Sequence, residues 1–229
     1  KVEPVKPPKV AALPWMRSPI TLHGSDSLPL GHVAGLDARI LAALQSQGIS
    51  RLFPVQVGMW RESRAGLAEG RDLCVCAPTG SGKTLAYALP IAHGLARRVV
   101  RRLRALVVLP THDLAQQVAE VLLPVCAAVG LRVGLVAGKG SLRPEASTLV
   151  GRSGDGSAGC ASLVDVLVAT PGRLMAHMRQ TAGFTLQHLK YLVVDETDRM
   201  LRQAYQDWLP HVLKAVEGEE QGDGEEGAG

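Results

Sequence analysis

The stretch that decides the fold is Ala77-Pro78-Thr79-Gly80-Ser81-Gly82-Lys83-Thr84, or APTGSGKT. It follows an apolar run, DLCVCA over residues 72–77, and leads into a helical pattern over 83–97. A strand that turns through glycines into a helix leaves free backbone N–H groups and the positive helix end around one point, which makes an anion site. The general phosphate-loop pattern is G-x-x-x-x-G-K-[ST], and Ala77 stands where its first glycine is usual. That position closes the strand and needs a small residue rather than a positive φ, so alanine is tolerated there. Gly80 and Gly82 permit positive φ and a close phosphate. Lys83 is placed to reach β and γ phosphates, and the Thr84 hydroxyl to ligate Mg²⁺.

Outward from the loop, four more aliphatic, β-branched runs read as strands: 105–110 (ALVVLP), 132–137 (RVGLVA), 165–170 (DVLVAT) and 191–196 (YLVVDE). Nearly unbroken apolar runs suit strands covered on both faces. Helical patterns span 36–47, 55–68, 83–97, 113–129, 172–180 and 199–215. Strands that alternate with helices predict an α/β fold, a parallel sheet with right-handed crossovers and helices on both faces. Ligands on such a sheet sit at the carboxyl ends of the strands.

The last run ends in Asp195-Glu196-Thr197-Asp198. Beside a phosphate loop, two adjacent carboxylates after a strand suit a shared task. One of the two is required beside the metal, and its neighbour at the attacking water. On position alone, Asp198 reads as a helix N-cap.

Composition narrows the classes further. Over 229 residues, 46% hydrophobic and 3% aromatic content predicts one large aliphatic core and argues against an RNA-binding sheet of stacked aromatics. No apolar run reaches the roughly 18 residues of a membrane span, and KVEPVKPPKV lacks the apolar core of a secretory signal. Cys74, Cys76, Cys126 and Cys160 lack zinc spacing and read as buried, reduced thiols of an intracellular protein. The net charge of +4 is uneven, because residues 217–229 hold six of the 21 acids and none of the 25 bases. A basic body suits a polyanionic partner. The five prolines of residues 1–20 read as an extended N-terminal segment, and the Gly/Glu-rich 217–229 as an acidic disordered linker. The five arginines of RRVVRRLR (97–104) read chiefly as a solvated helix end, and GRSGDGSAG (151–159) as a flexible insertion.

APTGSGKT with alanine first, followed by VVDETD, resembles the DEAD-box ATP-dependent RNA helicases. Three more stretches stand in that family's order: LFPVQ (52–56) is similar to its glutamine motif, PTHDLAQQ (110–117) to its Pro-Thr-Arg-Glu-Leu-Ala motif, and VATPGRL (168–174) to its Thr-Pro-Gly-Arg motif. The resemblance covers residues 20–215 and implies an N-terminal RecA-like P-loop NTPase domain over 21–216 that binds Mg-ATP and single-stranded RNA. It implies that Gln56 reads the adenine, that Ala77 to Thr84 cradle the phosphates and that Lys83, Asp195 and Glu196 are catalytic. Thr84 and Asp195 would hold the metal, and Asp198 would couple the domains. Thr111, Gly138, Thr170 and Arg173 would grip RNA backbone, a mode that carries little sequence information.

The chain departs from the family pattern at Thr197, His112, Asp113, Ile49, Leu52 and Phe53, and Gly31 and His32 stand near the place of an upstream aromatic that would support the adenine. No serine-alanine-threonine motif or second RecA-like domain follows the acids, so a fragment is expected, weak in turnover on its own. LPWMRSPI (13–20) and DETDRM with QAYQDWLP (195–210) faintly resemble the nucleolar ribosome-assembly branch, implying a nuclear or nucleolar monomer, otherwise cytoplasmic, with pre-ribosomal protein partners. Two rivals remain: a nucleotide-binding RNA clamp or assembly scaffold with little hydrolysis, and a P-loop NTPase acting on DNA or protein.

Overall fold

The computed structural model describes residues 19–66, 72–152, 160–202 and 207–217, without the side chains of 65, 66, 201 and 202. Most of the Pro-rich segment and of the acidic tail therefore lies outside the described residues. Among these, β1 (Leu28–Pro29) pairs antiparallel with β2 (Arg51–Leu52) across α1 (Ala38–Ser46), and α2 (Pro54–Gly66) follows at once. Asp37 caps α1, its carboxylate accepting from the Arg39 N–H, as a short acceptor at that position should.

The central unit then alternates helix and strand: α3 (Lys83–Leu95), β3 (Ala105–Val108), α4 (His112–Ala128), β4 (Val133–Val136), α5 (Arg143–Leu149), the antiparallel pair β5 (Val150–Arg152) and β6 (Cys160–Ser162), β7 (Val166–Ala169), α6 (Pro171–Gln180), β8 (Tyr191–Val194), α7 (Thr197–Arg202) and α8 (Trp208–Glu217). Four strands form one parallel sheet in the order β4-β7-β3-β8. The expected parallel sheet with helices on both faces is present.

Strand alternation sorts the core into two layers. Ala105, Val107, Val166 and Val168 point to one face and join Ala88, Leu89, Ile91, Ala92, Leu122 and Val125 of α3 and α4. Leu106, Val108, Leu167 and Ala169 point to the other and join Leu174 and Met175 of α6 and Trp208 and Val212 of α8. Every residue of β3 and β7 is buried, whereas all four of β8 are half-buried because β8 is the edge of the sheet.

One expected strand does not form. Residues 72–77 take no strand pairing with any described residue, and Leu73 and Val75 are 40% and 43% exposed. An apolar, β-branched run becomes a strand only when a neighbouring ladder accepts its N–H and C=O groups, and this run has no such neighbour here. Cys74 and Cys76 are accordingly exposed free thiols, Cys160 at the start of β6 is exposed as well, and only Cys126 is buried, with its pKa pushed up to about 12 by that burial. The helix expected over 199–215 appears as α7 and α8. The middle of the insertion, 153–159, lies outside the described residues.

Candidate nucleotide and nucleic-acid site

Because the four sheet strands are parallel, the chain leaves all of them at one end. The residue after β3 leads to Thr111, after β4 to Gly138, after β7 to Thr170 and after β8 to Asp195. The sequence-predicted residues thus share one sheet end, as strand polarity requires.

The phosphate loop meets that end through α3. Gly80 and Gly82 have φ of +79° and +84°, and a Cβ on Gly82 would lie 2.3 Å from Gln56 Nε2. Only glycine fits there, for both reasons. Ser81 N–H closes a turn onto the Pro78 carbonyl at 3.3 Å, and the buried Ser81 Oγ has no partner. An unpaired buried hydroxyl in a loop of free N–H groups suits an acceptor-rich ligand. The Lys83 ammonium donates to the carbonyls of Ala77 (2.8 Å) and Pro78 (3.1 Å), so it stays at the loop on a flexible stem.

The two halves of the nucleotide site meet at a residue that sequence reasoning passed over. The Tyr87 hydroxyl, one turn into α3, donates to Asp195 Oδ2 at 3.0 Å and is also hydrogen-bonded by Thr84. Burial, and then the charge of Asp195, push the Tyr87 pKa well above its ordinary 10, so the phenol stays a donor. Asp195 is fixed further, its Oδ1 accepting from Glu196 N–H at 2.9 Å and its own N–H donating to Val108 C=O at 3.1 Å. Glu196 adopts φ +51°, a costly conformation for a residue with a Cβ, and one that recurs at functional positions. Thr197 fits the turn that alanine usually occupies, its hydroxyl donating to Val194 C=O at 3.0 Å. Helix α7 starts at Thr197, so Asp198 lies within its first turn instead of capping it.

Gln56 is 3% exposed and occupied at both ends of its amide. Its Oε1 accepts from Phe53 N–H at 2.8 Å, and its Nε2 donates to Gly82 C=O at 3.2 Å. It ties the start of α2 to the phosphate loop.

The opposite flank is knit by side chains. Arg173 donates to Glu145 through Nε (2.5 Å), to Gly140 C=O through Nη1 (2.7 Å) and to Ser141 C=O through Nη2 (2.7 Å). Glu145 Oε2 also contacts Nε2 of the fully buried His177 at 2.8 Å, while His177 Nδ1 meets Thr181 Oγ1 at 2.8 Å. A carboxylate only accepts, so Nε2 carries a proton. Glu145 Oε1 accepts from Gly138 N–H at 3.4 Å. Burial alone would raise the Glu145 pKa, but hydrogen bonds from His177 and Arg173 and the Arg173 charge outweigh it and hold the carboxyl below its ordinary value. Glu145 thus gathers the loop after β4 and the helix after β7 into one unit. No motif marked Glu145 or His177; spacing alone hid them, since their partners lie 28 and 32 residues apart in sequence. Thr111 caps α4, accepting from Leu114 N–H at 3.4 Å, while Thr170 caps α6 without a side-chain bond, leaving its hydroxyl available. His112 and Asp113 face solvent, and Asp113 is 91% exposed.

The arginine run is partly structural. Arg98 clamps the fully buried Asp165 through Nε and Nη2 and also donates to Gly130 C=O, and Asp165 accepts from Arg132 N–H. Arg102 lies 2.7 Å from His188. Among the described residues, no helix is long and apolar enough to cross a membrane, and no group of three or more His, Cys, Asp or Glu side chains forms a metal cluster.

Residues 54–223 match the DEAD/DEAH box helicase family. The chain is 50% identical to "DEAD-box ATP-dependent RNA helicase 1" of Oryza sativa subsp. japonica, over 93% of this chain and 43% of that protein. It is 42% identical to "ATP-dependent RNA helicase DDX51" of Homo sapiens, over 94% of this chain and 33% of that protein. It is similar to the crystal structure of the RNA helicase Prp28 from Chaetomium thermophilum bound to ADP, with a TM-score of 0.66 and 29% identity over 81% of this chain and 42% of that one. The chain spans less than half the length of these relatives.

Proposed function

This chain belongs to the DEAD/DEAH box helicase family, and we propose that it is the N-terminal RecA-like, ATP-binding half of an ATP-dependent RNA helicase or RNA-protein remodeller. The observation that carries the reading is the Tyr87 bridge, which brings Thr84 of the phosphate loop and Asp195 of the acid cluster to one hydroxyl. A hydroxyl and a carboxylate oxygen suit a hard divalent cation, which takes oxygen ligands and keeps several waters. Thr84 and Asp195 would hold Mg²⁺ there, and the ion would supply positive charge against the phosphates.

The residues of the chain then divide the work. The N–H groups at the start of α3 bind the β and γ phosphates, and Lys83 leaves its two carbonyl partners to meet them. Glu196 takes the proton of the attacking water, held for that task by its positive φ. Gln56 holds the loop and reads the adenine. Asp198 links the acid cluster to a second RecA-like domain, whose cations complete the transition-state charge. Arg173, Gly138, Thr170 and Thr111 bind RNA backbone phosphates and sugars, which makes the grip largely independent of sequence. Residues 21–216 form the domain, preceded by a Pro-rich extension and followed by an acidic linker. The segments LPWMRSPI and QAYQDWLP support a monomeric nucleolar factor that works on pre-ribosomal particles.

ATP turnover with and without single-stranded RNA tests the reading, measured on the chain joined to a second RecA-like domain, with Glu196→Gln as the blank. RNA-stimulated turnover that vanishes in the blank is expected. Nucleotide binding with no response to RNA would leave a clamp or scaffold in its place.

A further inference from the structure

The sheet has a second end, and the chain crowds cations there. Strands β3 and β8 pair in parallel from Ala105 and Tyr191 onward. The residues before them, RRVVRRLR (97–104) and His188 to Lys190, therefore lie side by side at the end opposite the nucleotide site. Lys190 N–H donates to Arg104 C=O at 2.8 Å, and Arg102 Nη1 lies 2.7 Å from His188 Nε2. An arginine only donates, so that ring nitrogen accepts and the imidazole is neutral. Desolvation, and then the charges of Arg102 and Arg104, hold the His188 pKa below its ordinary 6.5.

No anion balances this cluster. The carboxylate of Asp165 is held by Arg98 and the Arg132 N–H, with Arg101 Nε at 3.9 Å. Among the described residues, no carboxylate lies within salt-bridge distance of Arg102, Arg104 or Lys190. Arg104 Nε has no hydrogen-bond partner. Like charges gathered around unpaired donors attract a polyanion.

We propose that this basic end is the docking surface of the chain's own acidic segment, residues 218–229. That segment carries five acids and no base, which matches the surface in charge. The fold also delivers it to the right place. The chain leaves β8 at the nucleotide end, and α8 packs back across the sheet, with Trp208 and Val212 in the layer of Leu106 and Leu167. Its ten residues span about 15 Å, roughly the length of a four-residue strand. Ala215 and Val216, near its end, pack against the cluster that includes Leu103 and takes Leu189 at its margin. These are the chain neighbours of Arg102 and His188. Residue 218 thus starts beside the cations, and twelve residues can reach up to about 40 Å. Docked there, the segment is an internal counter-ion. It neutralises the cluster and withholds that end of the sheet from the phosphates of a nucleic acid.

Histidine NMR titrations of the 229-residue chain test this. The parent is compared with a variant carrying Glu219→Gln, Glu220→Gln, Asp223→Asn, Glu225→Gln and Glu226→Gln. At low salt, neutralising the segment is expected to lower the His188 midpoint by roughly half a pH unit, the scale of one charge about 6 Å away in water. Salt at about 0.5 M should erase the difference, and His112, at the other end of the sheet, should titrate alike in both chains. An unchanged His188 midpoint would overturn the proposal. So would an equal shift of His112, because it would report the net charge of the chain and not a docked segment. A His188 that ignores the segment and moves only when oligouridine is added would give the surface to nucleic acid, and would overturn it as well.

Discussion

The two flanks of the sheet end are built on opposite plans. The nucleotide flank is shaped by backbone: left-handed glycines, a turn from Ser81 to Pro78 and free N–H groups, with the phenol of Tyr87 as its side-chain bridge to Asp195. Its lysine is parked on the carbonyls of its own loop. The Arg173 flank is shaped by side chains, with Glu145 receiving Arg173, His177 and the Gly138 N–H at once. The first plan keeps donors free for a ligand of many acceptors. The second spends donors to hold a surface rigid. Loss of a side chain should therefore cost function on one flank and folding stability on the other.

Lys83→Ala probes the first half of that contrast most sharply. It removes two contacts to carbonyls at the rim of the loop, one part-buried and one exposed, that water can replace, so the unfolding free energy should stay within about 0.5 kcal/mol of the parent. ATP affinity should fall roughly 100-fold, as expected when charge-assisted hydrogen bonds to phosphate are lost. Calorimetric titration and chemical denaturation on the same sample separate the two effects. Unchanged ATP affinity would sink the phosphate-loop assignment.

Glu145→Ala is the mirror image. It leaves the guanidinium of Arg173 and the fully buried ring of His177 without their shared acceptor. Stranded polar and charged groups of this kind cost about 2–3 kcal/mol. Denaturation should register that loss, RNA binding should weaken with it, and ATP affinity should hold. If stability is unaffected, the two flanks do not differ in the way argued.

Tyr87→Phe sits between them. It deletes a hydroxyl without changing shape, at a cost of about 1 kcal/mol in unfolding free energy. Asp195 then keeps its position through Glu196 N–H and its own backbone bond, so ATP binding should change less than turnover. Equal losses in both would show that the phenol supports the loop as a whole rather than orienting Asp195.

The contrast also explains what could be read from the sequence. The strands at Ala105–Val108, Val133–Val136, Val166–Ala169 and Tyr191–Val194 were legible because burial on two faces demands unbroken aliphatic runs. The backbone-built loop was legible too, since glycines and a lysine at fixed spacing are local facts. Residues 72–77 misled because a strand depends on a neighbour as much as on its own composition, and Cys74 and Cys76 became exposed with it. Glu145 and His177 were invisible for the opposite reason: each is unremarkable locally, and only the crossover from β4 to α6 makes them partners. The same holds for Arg98, one arginine of five in its run, which the fold sets against the buried Asp165.

Acid should loosen one flank before the other, and the sign follows from Glu145. Its folded-state pKa lies below the ordinary 4.5 because hydrogen bonds from His177 and Arg173, with the Arg173 charge, outweigh the effect of burial. A depressed carboxyl pKa contributes stability that is fully present above the unfolded value and is lost as pH falls through the folded one. The difference in unfolding free energy between the parent and Glu145→Gln should thus be constant from pH 7 down to about 5, and shrink below the ordinary carboxyl value. The effect is the smallest of the four, because a fifth of the Glu145 side chain is open to solvent and screening reduces it. Arg173 keeps its bonds to the carbonyls of Gly140 and Ser141 through the titration, so the flank should soften without unfolding. A difference that stays level to pH 3.5 would mean that the carboxylate charge contributes nothing, and that shape alone holds Arg173 in place.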